Sequence, residues 1–270
     1  MSRLCRGVKI SRQGYYQERR ERRREKIAEE IVITAVKSIR RHHPRMGVRK
    51  IQEKIKDVLK SQGVMTGRDR LYRILRPKGL LIRRRRQRIK TTDSKHGFRI
   101  YPDLHREPVL TGPHQMLVSD LTYLDTDEGP LYMALITDAW SRKIIGYEVS
   151  DNLEAIGCLR ALEKACKQLP EGANPIHHSD RGSQYCCGAY IYRLKQQGIT
   201  ISMTQDGNCY DNAMAERMNG ILKTEYLLGD RFRTKGQART ACRQAIELYN
   251  TDRPHLALKY KTPEQVHAAA

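Results

Sequence analysis

Residues 114–124 read HQMLVSDLTYL, and LYMALITDAW (131–140) and RKIIGYEVS (142–150) follow at once. Each is a short apolar run bounded by polar turn residues, the pattern of a β-strand. The short polar connections between them predict antiparallel hairpins. Beyond them, Leu153, Ile156, Leu159, Leu162 and Cys166 make residues 153–169 an amphipathic helix. PIHHS (175–179) reads as a fourth strand, 188–197 as a helix and TISM (200–203) as a fifth strand. A helix starts at Asn212 behind Asp211, a good N-cap, and a last helix covers about 236–250. This order predicts an α/β fold: a mixed five-stranded sheet flanked by helices on both faces.

Three acidic residues stand out against that frame: Asp120 in LVSDLTYL, Asp180 in IHHSDRGSQY and Glu216 in DNAMAERMNG. Asp120 sits mid-way along an apolar strand, where a carboxylate is costly without a partner. Asp180 closes the fourth strand, which in a meander fold lies beside the first. Glu216 falls in the first turn of its helix, 36 positions after Asp180. Each has a mundane alternative: Asp180 as a turn residue, Glu216 on a solvated helix face, Asp120 as a buried acid bonded to Thr122. Together they form a carboxylate set of the kind Mg²⁺ prefers, and a carboxylate-held metal pair can cut and rejoin phosphodiesters.

The upstream third is of a different character. Residues 1–90 hold 30 Lys/Arg against 8 Asp/Glu, whereas residues 91–270 hold 21 against 22, so the net charge of +21 lies wholly at one end. Like charges at that density repel unless a polyanion relieves them, which points to phosphate binding. Residues 18–41 read as a helix with Ile27, Ile31, Ala35 and Ile39 on one face and Arg19, Arg20, Arg22, Arg23, Arg24 and Lys26 on the other. The HHP at 42–44 ends it. A second helix runs from Val48 to Lys60, buries Val48, Ile51, Ile55 and Leu59, and is broken by Gly63. A third begins at Thr66, with Thr66 and Asp69 as a capping box, and runs to Pro77. The pair is either a plain helical hairpin or a helix-turn-helix that offers Arg68, Arg70 and Arg73 to a groove or its phosphates. The run RRRRQRIK (83–90), with Arg83, Arg84, Arg85 and Arg86 at its head, reads as a basic linker lying along a nucleic-acid backbone. The domains expected are a basic helical segment (1–43), a helix-turn-helix-like DNA-binding domain (44–82), a linker (83–110) and the α/β body (111–270).

Composition removes several classes. No apolar run approaches the ~18 residues of a membrane span, and MSRLCRGVKI lacks the apolar core of a secretory signal. Seven cysteines with no CxxC spacing predict free thiols in a reducing cytoplasm. His177 and His178 beside Cys186 and Cys187 invite a zinc assignment. Adjacent residues do not readily turn both side chains toward one tetrahedral ion, so none is made.

The blocks GVRKIQ, RLYRILRPKGL, SDLTY, ITDAWSRKIIGY, HSDRGSQY, SMTQDGNCYDNAMAER and YNTDRPHLAL resemble, in this order, the second-frame transposases of the insertion-sequence-3 family. These belong to the Asp-Asp-Glu (retroviral-integrase) superfamily, and the likeness spans nearly the whole chain. It implies a ribonuclease H-like core with Asp120, Asp180 and Glu216 as both catalytic and metal-binding residues. It further implies two Mg²⁺ ions per site, with Mn²⁺ as a substitute, Asp120 bridging them and no protein nucleophile. The activity implied is cleavage at insertion-sequence ends and strand transfer by in-line transesterification. A catalytically decayed repressor that still binds DNA is the alternative. A recombinase using Tyr249 or Tyr260 as nucleophile is the more distant rival. Partners implied are double-stranded DNA (terminal repeats and target), further copies of the chain on DNA, and a first-frame product, with no membrane; the setting is the bacterial cytoplasm, at the nucleoid.

Neighbouring residues take lesser roles. The same likeness implies that Lys223, two turns beyond Glu216, contacts DNA near the scissile phosphate, with an ordinary surface lysine as the alternative, and Asn219 between them is grouped with it as a DNA contact. Asp211 and Asn212 steady the Glu216 helix, Asp138 supports the core rather than a metal, and Arg253 and His255 either bind DNA or shape the tail. One departure is Leu117, where many relatives carry tryptophan.

Overall fold

The computed structural model describes residues 11–82, 97–104, 109–204 and 213–269. The chain divides into two compact units, Met1–Arg83 and Arg84–Ala270.

The first unit is all helical. α1 (Arg12–His42) is capped by Ser11, whose hydroxyl accepts from the Gly14 N–H at 2.9 Å. It starts six residues earlier than its apolar pattern suggests, because Arg, Glu, Lys and Gln are strong helix formers that need no packing to be compatible with a helix. α2 (Val48–Ser61) follows, and Gly63 ends it with φ 67°. α3 (Arg68–Leu75) is capped by Gly67 through backbone geometry alone. The capping box expected at Thr66 and Asp69 is therefore absent; the Thr66 hydroxyl is buried without a partner, and Asp69 turns to Arg68 at 2.9 Å. Val32, Val36, Met46, Ile51, Ile55, Leu71 and Leu75 form the core between the three helices. Ile27 is half exposed, contrary to its place in the expected stripe: the buried face of α1 begins only at Ala28.

The second unit is built on a sheet of strands β1 (Met116–Leu124), β2 (Leu131–Asp138), β3 (Ile144–Ser150), β4 (Ile176–Ser179) and β5 (Thr200–Met203), in the order β3-β2-β1-β4-β5. The first three pair antiparallel as a meander, and β4 and β5 run parallel to β1. β2 is buried on both sides, so its sequence is continuously apolar instead of alternating. Ala134 and Ile136 pack with α4 (Ala155–Cys166), α5 (Ser183–Cys186) and α6 (Gly188–Gln196); Leu131, Met133 and Leu135 pack on the other face with α7 (Ala213–Glu225) and α8 (Lys235–Thr251). A 3₁₀ turn (Leu256–Leu258) and α9 (Pro263–Ala268), which carries a Thr262–Gln265 capping box, finish the chain.

α4 is shorter than its expected span of 153–169 and turns a different face inward. Gly157, Cys158, Ala161, Leu162 and Ala165 are buried, while Leu153 and Ile156 are exposed. Small residues win because the helix lies close on β3. A Cβ added at Gly146 would overlap the Ala161 carbonyl oxygen and reach 2.8 Å from the Ala165 Cβ.

Candidate active site

β1 is the central strand, and its alternation sorts the two faces. Leu117 and Ser119 point toward the α4 and α6 side, whereas Asp120 lies on the side covered by α7. The parallel register sets Met116 beside Ile176 and Val118 beside His178. Continued two residues, it brings Asp120 level with Asp180, which directly follows β4.

Asp120 is braced from two directions. Its Oδ1 accepts from the Leu121 N–H at 2.9 Å and its Oδ2 accepts from Asn219 Nδ2 at 2.6 Å. It is therefore not the acid bonded to Thr122 that the sequence left open. Burial raises its pKa to about 7; the Asp180 charge adds to the rise and the Glu216 charge adds less, while the Asn219 and Leu121 donors oppose it. The Asp180 and Glu216 charges thus both reach Asp120, which keeps a partly exposed edge, while Glu216 is solvent exposed; among the described residues no group of three or more His, Cys, Asp or Glu side chains is already drawn together as a metal site. Asp180 Oδ1 accepts from the Gly182 N–H at 3.0 Å, so it makes a local turn. A cleft of about 200 Å³ opens beside it, walled by the cross-strand pair Tyr123 and Tyr132 and by Tyr185.

Asn219 is buried on α7, and its Oδ1 has no hydrogen-bond partner, leaving an oxygen donor beside the carboxylates. Lys223, one further turn along, holds its Nζ 4.6 Å from the Tyr123 ring centroid. Burial lowers its pKa and the Asp120 carboxylate partly restores it.

Other residues prove structural. Asp138 is fully buried and accepts from the His114 N–H (2.7 Å), the Ser141 N–H (2.8 Å) and the Ser141 hydroxyl (2.7 Å), which fix the β2–β3 turn. His177 Nε2 bonds Ser119 Oγ at 2.7 Å and Tyr190 OH at 2.9 Å, whereas His178 Nδ1 bonds Ser202 Oγ at 2.8 Å; among the described residues no His and Cys group is placed to hold a metal ion. Arg253 is 2% exposed and donates through Nε and Nη2 to both Glu225 oxygens at 2.9 Å, so it anchors the end of α7 and does not reach solvent. His255 bonds Tyr249 OH at 3.1 Å, and Tyr249 is wholly buried with its pKa raised by burial, far from a nucleophile's needs. The Arg253–Glu225 clamp has no sequence signal: 28 positions separate two residues of ordinary type. Arg68 and Arg73 on α3 are exposed, and Arg70 is half-buried with its Nη1 3.4 Å from the Met65 carbonyl oxygen. Arg83 to Arg86, Cys5, Cys209, Asp211 and Asn212 lie outside the described residues.

A β3-β2-β1-β4-β5 sheet with helices on both faces, an acid on its central strand and another just after the neighbouring one is the ribonuclease H-like core of the integrase class. Two family models, each described as an integrase core domain, match residues 111–209 and 197–263. Over 270 residues the chain is 35% identical to the insertion element IS600 uncharacterized 31 kDa protein of Shigella sonnei, covering 96% of each. It is 32% identical to transposase InsF for insertion sequence IS3A of Escherichia coli (strain K12), over 97% of this chain and 92% of that one. Among solved structures it resembles the HTLV-2 integrase catalytic core domain in complex with magnesium, at 18% identity and a TM-score of 0.47, over 58% of this chain and 98% of that one. The chain belongs to the insertion-sequence-3 family of transposases, whose core is an integrase domain. It is a transposase of an insertion sequence.

Among the described residues no helix is long and apolar enough to cross a membrane.

Proposed function

We propose that this transposase cleaves DNA at the ends of its insertion sequence and joins the freed 3′-hydroxyl to a target strand, using Asp120, Asp180 and Glu216. The observation that carries the reading is Asp120 itself: a carboxyl braced by Asn219 and pushed up to about 7 by burial and two like charges. Such a cluster is poorly stable as bare anions, and hard oxygen donors around unrelieved negative charge fit Mg²⁺ or Mn²⁺. The free Asn219 Oδ1 adds a neutral oxygen to that set. Asp120, Asp180 and Glu216 would hold the pair of ions; these would activate the attacking hydroxyl and stabilise the departing 3′-oxygen.

The protein residues do the rest. Asn219 fixes the rotamer of Asp120, and the Gly182 N–H fixes that of Asp180, so the carboxylates need little reorganisation when substrate arrives. Lys223, held on Tyr123, offers a cation to a phosphate lying across the site. No nucleophilic side chain is needed, because the attacking group is a water or a DNA hydroxyl. DNA binding is assigned to Arg68, Arg70 and Arg73 on α3 and to Arg83, Arg84, Arg85 and Arg86, within a helix-turn-helix-like domain over 44–82 and the linker over 83–110. Because two element ends must be joined in concert, at least two copies act together on the DNA, with a first-frame product as a further partner and the nucleoid as the setting.

A strand-joining assay tests this on DNA carrying the element's own ends. The active enzyme joins strands with Mg²⁺ or Mn²⁺ and stops with EDTA. A protein that retards the same DNA and joins nothing is the decayed repressor, and the reading fails.

A further inference from the structure

α1 spans 31 residues, about 46 Å at 1.5 Å per residue. Its packing begins only at Ala28; from Arg12 to Lys26 every side chain but the half-buried Tyr15 is exposed. Hydrophobic burial thus gives no reason for the first four turns of this helix to exist.

Six of its cations share one face, with Arg20, Arg22, Arg24 and Arg40 off it. At about 100° per residue, Arg12, Arg19, Arg23, Lys26, Lys37 and Arg41 fall within about 40° of one line, and all six are exposed. Val32 and Val36, which face the core, lie on the opposite side, and Glu18, Glu21, Glu25 and Glu29 share that side. Glu30 is the single acid on the basic line. A merely solvated helix would interleave its signs as i, i+4 pairs. Here the ion pair seen along the arm among the described residues is Arg22–Glu18 on the flank, while Arg19 and Arg23 stand one turn apart as like charges that repel.

We infer that this face of α1 is a phosphate-tracking surface, a separate DNA contact that lies along the backbone of a duplex and is indifferent to base sequence. B-DNA presents one negative charge per about 1.7 Å of axis, so each cation on this line can meet a phosphate, and every acid of the helix but Glu30 points away from them. Counterion release then favours the ordered arm, and specificity stays with the base-reading elements. The inference rests on the DNA-binding reading above.

The test uses the full chain and a fluorescein-labelled 30-base-pair duplex of arbitrary sequence, with affinity measured across a salt series. Removing three contacts from the line (Arg19→Gln, Arg23→Gln, Lys26→Gln) should lower the log–log salt slope by about two to three, at about 0.9 per phosphate contact. Removing the same charge from the flanks (Arg20→Gln, Arg22→Gln, Arg24→Gln) should lower it by less than one. Arg19→Lys with Arg23→Lys should keep the wild-type slope, and helical circular dichroism should be unchanged throughout. Equal losses from the two triple variants, or none from the first, would overturn the inference while leaving DNA binding intact. A wild-type protein with no salt-dependent affinity for the duplex would instead remove the DNA-binding reading itself.

Discussion

Asn219 Nδ2 donates to Asp120 Oδ2 at 2.6 Å, tying helix α7 to the central strand of the sheet. Ninety-nine positions separate the two residues, and the bond makes the position of Glu216, one turn earlier on α7, depend on that of Asp120. Asn219 is therefore a positioning residue, with its own effect on the carboxylates. Asn219→Ala should reduce strand joining about 10- to 100-fold, the usual effect of losing a partner behind a metal-binding group. Duplex affinity should not change, and raising the Mn²⁺ concentration should recover part of the loss. A variant that joins strands at the wild-type rate in Mg²⁺ would deny Asn219 this role.

The Arg253–Glu225 clamp should matter for stability more than for DNA contact. Both partners are largely buried and the pairing is bidentate, so Arg253→Met removes two charge-assisted hydrogen bonds from Glu225. The expected cost is about 3–5 kcal/mol, read as a lower unfolding temperature by calorimetry. Glu225→Gln with Arg253→Met should recover much of it, because the buried carboxylate that lost its bidentate partner is then neutral. An equal loss in the single and double variants would contradict this.

His177 makes acid sensitivity legible. Its pKa is lowered to about 3, by burial first and by neighbouring His178 second. The unfolded chain, with a histidine pKa near 6.5, takes up a proton that the folded chain refuses. This contribution to stability is complete above about pH 6.5 and falls as pH drops toward 3, by about 2 kcal/mol between pH 7 and pH 5. His177→Asn should lower the melting temperature at pH 7 yet flatten its decline toward pH 5. An unchanged decline would mean that other groups set it.

Gly146→Ala tests the close approach of α4 to β3. The added methyl overlaps the Ala161 backbone oxygen, which has no flexible end to yield. The strand and helix must separate, at about 1–3 kcal/mol. Thermal unfolding at pH 7 measures it, and an unchanged melting temperature would show that the pair can slide apart freely.

Much of this was legible in the sequence, because strands and helices of the second unit are bounded by polar runs and the central strand advertises itself by burying an acid. The elements that carry Asp120, Asp180 and Glu216 were readable for the same reason, whereas the shared role proposed for the three came from the family resemblance. What escaped were features decided by three-dimensional closeness. α4 turns small residues inward where leucine spacing suggested Leu153 and Ile156, since β3 leaves no room for larger ones. The early start of α1 was missed because its first turns have no apolar face to detect, and the Gly67 cap because backbone geometry replaced the Thr66 hydroxyl. Arg253 was ambiguous between DNA and tail until Glu225 appeared across 28 residues of chain.

The central claim is that three carboxylates act as one metal-holding unit. The direct measurement is joining of end-bearing DNA in Mg²⁺ by Asp120→Asn, Asp180→Asn and Glu216→Gln, each beside a duplex-binding titration. All three should lose joining by about 10³-fold or more while binding DNA as the wild type does. Near-normal joining by any one of them would contradict the account.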